Sequence, residues 1–248
     1  MTAPKPAAGL RVVNVSKSFS GVQALVEVSL SVPSGTIWGL IGPNGSGKTT
    51  LLNVISGILP PDEGEVWLGQ ANLTGLRYDR IARLGVARTF QTIRLFKSLT
   101  VIENVEASVT AAEAQGVDER VAALLDRFEL GPWAAVQAGA LPYGIQRRLE
   151  IARALGTRPK ILLLDEPAAG LNESESEALL AMIRAVRSDT DYGCSILIID
   201  HDLRLIMRLC DQIHVLNEGR TIAEGPPQEV RHHPTVIEAY LGHRAIEA

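Results

Sequence analysis

The sequence predicts an α/β core interrupted by an all-helical insert. Three observations predict it. A glycine-rich octapeptide, Gly42–Thr49, sits between an apolar run and a helical stretch. Two nearly continuous apolar runs, Ile161–Leu164 and Ser195–Ile199, read as strands buried on both faces, as in parallel sheets. Between them in character, Leu99–Leu155 is rich in Ala, Glu, Arg and Leu and holds no convincing strand.

Each element has a local reason. Strands are expected at Leu10–Val15, Val26–Val32, Thr36–Ile41, Glu65–Leu68, Val86–Phe90, Ile161–Leu164, Ser195–Asp200 and Gln212–Leu216. They are β-branched or Leu/Ile runs bounded by Gly, Pro or Asp. Val26, Val28, Leu30 and Val32 alternate with polar residues, so that strand is half-exposed and antiparallel in character. Helices are expected at Lys48–Ile55 and Asn172–Arg187. The second opens with Glu173, Glu175 and Glu177, which favour the positive end of the helix dipole. Gly131-Pro132 and Leu141-Pro142 punctuate the helical middle.

Composition excludes several classes. The 248 residues suit one or two domains, and 46% apolar with 21% charged residues is ordinary for a globular chain. A net charge of −4 argues against a chain that binds nucleic acid over its whole surface. Two cysteines, Cys194 and Cys210, give neither a disulfide framework nor a CxxC metal knuckle, which fits a reducing compartment. No apolar run reaches the roughly 18–20 residues that span a membrane. Met1–Gly9 is rich in proline and alanine and has no apolar signal-peptide region. The expectation is a soluble chain; if it acts at a membrane, another subunit spans it.

Five pieces carry chemistry. Gly42-Pro43-Asn44-Gly45-Ser46-Gly47-Lys48-Thr49 fits G-x-x-x-x-G-K-[ST]. Glycines let the backbone wrap round phosphates, with N–H groups and a helix N-terminus aimed at anionic oxygens. Lys48 would reach the β- and γ-phosphates and Thr49 would hold Mg²⁺. Ile161–Leu164 leads into Asp165, placed to hold Mg²⁺, and Glu166, placed to deprotonate a water. His201 follows the next apolar strand. The strand–helix–strand run from Ile161 to Asp200 would bring it beside the end of the Asp165 strand. A metal site made of Asp200, His201 and Asp202 is the alternative, but three consecutive residues rarely converge on one ion. Gln91, expected to end the Val86–Phe90 strand, would bind Mg²⁺ or the attacking water; an ordinary loop amide is the other reading. Leu141–Arg148 opens a helix, with Pro142 suited to its first turn. That helix N-terminus is a second potential anion site; a plain cap is the other reading. Both anion sites can serve one nucleotide only if two chains face each other.

In this order the pieces resemble the ATP-binding subunits of ABC transporters. Gly42–Thr49 looks like Walker A, Gln91 the Q-loop, Leu141–Gln146 the signature, Ile161–Glu166 Walker B, Ala169-Gly170-Leu171-Asn172 the D-loop and His201 the switch histidine. The likeness runs from about Leu10 to Leu241. A narrower likeness is to the first of the two ATPases of branched-chain amino-acid importers. It is carried by Ala87–Gln91, Arg94–Phe96, Thr100–Asn104, Arg147–Leu155, Asp165–Asn172 and the tail Val236–Gly242. Urea-importer ATPases are similar. The signature departs from Leu-Ser-Gly-Gly-Gln: Pro142 stands for the serine, Tyr143 for the first glycine and Ile145 for the glutamine. Losing a donor to a charged oxygen costs roughly 1.5–3 kcal/mol, which predicts a weak signature half, with a partner ATPase supplying a better one.

The resemblance implies an α/β P-loop ATPase fold with a mixed core sheet, an N-terminal antiparallel β subdomain and an all-helical signature subdomain. It implies one ABC ATPase domain over 1–248, with the nucleotide-binding core at 1–91 and 157–248 and the helical part at 92–156. It implies Mg-ATP as ligand. Phe19 would stack on adenine. Gly42, Pro43, Asn44, Gly45, Ser46, Gly47, Lys48, Thr49 and Thr50 would hold the phosphates. Tyr143 and Gly144 would meet the nucleotide of a second ATP-binding subunit. Glu166, His201, Lys48 and Gln91 would carry catalysis, and Thr49, Gln91 and Asp165 would hold Mg²⁺. Implied partners are transmembrane permease subunits and a separate solute-binding protein, with no nucleic acid. The implied place is cytoplasmic, peripheral on the inner face of the cell membrane. The stretch Gln91–Thr100 would reach the permease. Arg77, Arg80, Arg83, Arg88, Arg94 and Lys97 make that region basic; a solvated face is the other reading of them.

Overall fold

The computed structural model describes residues 9–112, 115–187 and 193–244. Met1–Ala8, most of the Met1–Gly9 stretch without an apolar signal region, lies outside them, as does the side chain of Leu241 in the tail. In chain order the elements are β1 (Leu10–Phe19), β2 (Val22–Val32), β3 (Ile37–Ile41), α1 (Lys48–Ile55), β4 (Glu63–Leu68), β5 (Ala71–Asn72) and α2 (Tyr78–Leu84). There follow β6 (Val86–Arg88), α3 (Val101–Ala112), α4 (Val117–Arg127), α5 (Tyr143–Gly156), β7 (Ile161–Asp165) and α6 (Glu173–Arg187). The chain closes with β8 (Ser195–Ile199), α7 (Leu203–Leu209), β9 (Gln212–Asn217), β10 (Arg220–Gly225), α8 (Pro227–Arg231) and α9 (Pro234–Arg244). Contacts divide the chain into two compact units, 1–84 with 195–248, and 85–194.

The first unit holds an antiparallel sheet in the order β2-β1-β4-β5. Val28, Leu30 and Val32 are buried while Glu27, Ser29 and Ser31 are exposed, so the alternation in β2 sorts its faces as expected. Both β1 and β2 run further than their apolar cores. Ser20 (φ 48°) and Gly21 (φ 87°) form a tight turn that lets Phe19 pair with Val22 across exposed polar residues. The unit's mixed sheet puts β3 between β8 and β9, all parallel, with β10 antiparallel to β9. All five residues of β3 and of β8 are buried. The sequence reading missed β10, a polar, half-exposed edge strand reached through the turn Glu218 (φ 48°) and Gly219 (φ 75°). It also missed the two-residue β5.

In the second unit β6 and β7 are parallel, with Val86 opposite Ile161 and Arg88 opposite Leu163. The strand expected to run to Phe90 stops at Arg88. Thr89 still donates to the Leu163 carbonyl, and then the chain turns away. Gln91 therefore sits in a loop, exposed, and does not end a strand. The middle is helical as expected, apart from one isolated bridge between Thr100 and Gln137. Val105, Val109, Leu124, Phe128, Leu149, Ile151 and Leu155 form its buried core. At Gly156 a Cβ would lie 2.1 Å from Ser108 Oγ, so only glycine lets these segments approach. Pro142 is the cap before α5, with extended ψ 149°, not a residue of its first turn. Before α6, Asn172 Oδ1 accepts from Glu175 N (2.9 Å) and Glu175 Oε2 accepts from Asn172 N (3.0 Å), a reciprocal capping box.

No helix among the described residues is long and apolar enough to cross a membrane. Cys194 and Cys210 are both free and buried. Burial pushes the Cys194 thiol up to about 12, and burial with the Asp211 charge pushes Cys210 up as well. Since the thiolate is the nucleophile, both should resist a charged aromatic disulfide reagent at neutral pH. The expected titration is no fast-reacting thiol in the native chain and two in denaturant.

Candidate active site

In the first unit the loop Gly42–Gly47 joins the buried strand β3 to α1 and is pinned by backbone. Gly219 N donates to Ser46 O (3.1 Å), and Val26 N donates to Gly219 O (2.8 Å). Gly47 has φ 103°, and a Cβ there would lie 2.5 Å from the Ala24 carbonyl. Gly42 (φ 151°) is as tight: its Cβ would lie 2.0 Å from the Leu216 carbonyl. At Gly45 (φ 76°) space is open, so its requirement is the left-handed backbone alone. The glycines thus press the loop between β2 and the β9–β10 hairpin.

Gly47 is the N-cap of α1 and offers no side chain to the first-turn amides, and that turn carries no acid. It therefore presents N–H groups and the positive end of a helix. Lys48 Nζ donates to the carbonyls of Gly42 (2.7 Å) and Pro43 (2.8 Å), which arches it over the loop. A cavity of about 150 Å³ is lined by Ala24, Gly45, Ser46, Gly47, Lys48, Thr49 and Thr50. Asn44 and Thr49 are exposed, and Ser46 is buried. The tail also reaches this loop. Burial pushes the Tyr240 phenol up to about 12, opposed by the nearby Gly42 backbone amide. Phe19, at the end of β1, is 43% exposed, with Lys17 Nζ 5.8 Å from its ring centre. Asp62 accepts from Lys17 Nζ (2.6 Å) and Ser18 N (2.7 Å), and these bonds hold its carboxyl below the usual range. His201 is largely exposed, with Nδ1 3.6 Å from the buried Asp200 carboxylate. Asp202 caps α7, accepting from Arg204 N at 2.9 Å.

The second unit holds Gln91, Asp165, Glu166, Tyr143 and Gly144, and hydrogen bonds join Gln91 to Glu166 and, through Arg147, to Tyr143. Asp165 ends β7 and is buried. Its Oδ2 accepts from Arg88 Nη2 (2.9 Å). Arg88 is thus a buried partner of Asp165 and not part of a solvated basic face. Arg94 is exposed, with its guanidinium 3.8 Å from the Phe90 ring centre. Glu166 has φ 49°, a left-handed backbone costing on the order of 1–2 kcal/mol for a residue with a Cβ. It turns the side chain away from that of Asp165. Gln91 Nε2 donates to Glu166 Oε2 (3.0 Å).

Tyr143 and Gly144 open α5. The Tyr143 ring covers Gly170, where a Cβ would meet it at 3.1 Å, and a Cβ at Gly144 would lie 2.9 Å from Glu175 Oε1. Ile145 is half-buried. One residue of α5 was not singled out as a site by the sequence reading. Arg147 is fully buried, and its Nη1 donates to Phe90 O (3.0 Å) and Glu150 Oε2 (2.8 Å). Its Nη2 donates to Gln91 O (3.0 Å) and Tyr143 Oη (3.1 Å). Glu150 in turn accepts from Arg94 N (3.1 Å); burial pushes its carboxyl up, against these donors. The available signal was an opposite-charge pair three residues apart on the apolar face of a helix.

Comparison with known proteins places this architecture. The ABC transporter family model matches residues 25–169, and a branched-chain amino acid ATP-binding cassette transporter model matches 220–246. The high-affinity branched-chain amino acid transport ATP-binding protein LivG of Salmonella typhimurium is 42% identical, over 94% of this chain and 97% of that one. BraF of Pseudomonas aeruginosa, of the same description, is 40% identical over the same shares. A crystal structure of the ADP conformation of an ABC transporter ATP-binding cassette superposes with TM-score 0.84 at 33% identity, covering 94% of this chain and 98% of that one. A dimeric cassette in a post-hydrolysis state with ADP and Pi gives TM-score 0.77 at 27% identity, over 88% and 98%. The chain belongs to the ABC transporter ATPases, and its fold is theirs.

The Gly47 geometry makes a sharp test. In Gly47→Ala the added methyl cannot coexist with the Ala24 carbonyl unless the loop moves. ATP affinity should fall by more than about tenfold while far-UV circular dichroism is unchanged. Calorimetric titration with ATP measures it.

Proposed function

We propose that this chain is the ATP-hydrolysing subunit of an importer for branched-chain amino acids, working as half of a head-to-tail pair on transmembrane permease subunits. The observation that carries the substrate class is the match of 220–246 to the branched-chain cassette model, on a chain similar end to end to LivG and BraF. A separate solute-binding protein would deliver the substrate. The chain would sit on the inner face of the membrane, held by the permease, with no role for nucleic acid.

The residues divide the work. Phe19 stacks on adenine. The amides of Gly42–Thr50 face the phosphates, and Lys48 exchanges the Gly42 and Pro43 carbonyls for β- and γ-phosphate oxygens. Glu166 takes the proton of the attacking water, with Gln91 fixing its carboxylate. His201 stabilises charge on the γ-phosphate. Thr49, Gln91 and Asp165 offer a hydroxyl, an amide oxygen and a carboxylate, a hard-oxygen set that suits Mg²⁺. Held there, the ion would supply positive charge against the phosphate oxygens. Asp165 keeps one oxygen on Arg88, so its other oxygen is the one turned to this role.

Tyr143 and Gly144 meet the nucleotide held by the partner. ATP then favours the closed pair by its differential affinity, and loss of the γ-phosphate contacts lets the pair open. The segment 92–156 is the arm that carries the signature, and Gln91–Thr100 passes the movement to the permease.

The ATPase rate of the isolated chain should rise faster than linearly with protein concentration. Glu166→Gln should lower it by about 10²-fold or more while ATP affinity is kept. A linear dependence would contradict the paired site. For the substrate, vesicles holding the assembled transporter should take up leucine on ATP addition and leave urea outside; the reverse would overturn the substrate class.

A further inference from the structure

The strongest polar feature outside the residues assigned above is the Arg147 guanidinium. It lies at 0% exposure inside the second unit, on α5 one turn after Tyr143 and Gly144. Its acceptors belong to two different functional segments. Phe90 O and Gln91 O belong to the loop whose Gln91 side chain holds Glu166. Tyr143 Oη belongs to the signature end of the helix. Glu150, three residues along, shares the Nη1 donor with Phe90 O and also accepts from Arg94 N, so the loop is gripped again beyond Gln91.

In the head-to-tail reading, on which this inference rests, those two segments serve different nucleotides. Gln91 and Glu166 act on the ATP held by their own chain. Tyr143 and Gly144 act on the ATP held by the partner. We infer that Arg147 is a positioning residue that couples the two ATP sites of the pair, by locking the signature end of α5 to the backbone that carries Gln91. The physical ground is rigidity. A guanidinium is planar and presents its donors in a fixed fork, so the two carbonyls and the tyrosine oxygen cannot move independently without leaving a buried donor unpaired. A nucleotide that shifts Tyr143 therefore shifts Gln91 and the carboxylate it holds. No contact between Arg147 and either nucleotide is needed.

Lysine keeps the charge but cannot span the four acceptors, so Arg147→Lys should uncouple the sites. Tyr143→Phe removes only the hydroxyl link at a half-exposed position and guards against a folding failure of the buried variant. The readout is the ATP dependence of hydrolysis by the transporter purified with its permease, together with single-site ATP binding to the isolated chain. Wild type should show a Hill coefficient above about 1, with two sites setting the ceiling. Both variants should fall to about 1, with maximal rate down by about tenfold and ATP affinity of the isolated chain within about twofold. A merely structural arginine would lower rate and melting temperature without changing the Hill coefficient, and that result overturns the inference. So does a wild type with independent sites. Failure of the head-to-tail reading shows differently: the isolated wild-type rate would be linear in protein concentration, whatever the variants do.

Discussion

The close approach of the Ser46–Gly47 backbone to Ala24 on β2 and Gly219 on the β9–β10 turn is the constraint on which the first unit depends. Three segments far apart in sequence meet there within hydrogen-bond and van der Waals distance, with almost no side chain between them. That contact explains why residues 47 and 219 are glycine, since a Cβ at either would meet the Ala24 carbonyl. It also leaves the first-turn amides of α1 facing outward, because the inner side of the loop is spoken for by backbone. An anion site made in this way relies on fixed dipoles, which require little reorganisation when charge arrives.

The second unit solves a different problem. A buried arginine is costly unless its donors are met, and leaving one unpaired costs on the order of 1–3 kcal/mol or more. Arg147 meets this at both terminal nitrogens, with two backbone carbonyls, a phenol and a carboxylate, and leaves its buried Nε unmet. Because the carbonyls belong to the Gln91 loop, satisfying the charge and placing the Gln91 amide become the same requirement. The left-handed backbone at Glu166 adds to this. It separates two adjacent carboxylates so that one can keep Arg88 and the other can keep Gln91.

Much of this was legible in the sequence. The Gly42–Thr49 spacing, the apolar run into Asp165 and Glu166, and the strandless middle are local patterns, and local patterns survive folding. The polar edge strand β10 was not legible, because its partner β9 and not its own composition makes it a strand. The end of β6 at Arg88 was also hidden. Thr89 and Phe90 look strand-like, but the chain leaves the ladder to deliver the Phe90 and Gln91 carbonyls to Arg147. The burial of Arg88, one member of the basic group, was hidden for the same reason: its partner Asp165 is set by tertiary contact.

The central claim is that each nucleotide is completed by a second chain, and it is tested most directly by sedimentation of Glu166→Gln, which should bind ATP without turning it over. With Mg-ATP the account predicts a species of twice the chain mass, and with Mg-ADP a single chain. A monomer in both conditions would contradict the paired site, and a dimer in both would contradict the claim that the γ-phosphate is what closes it.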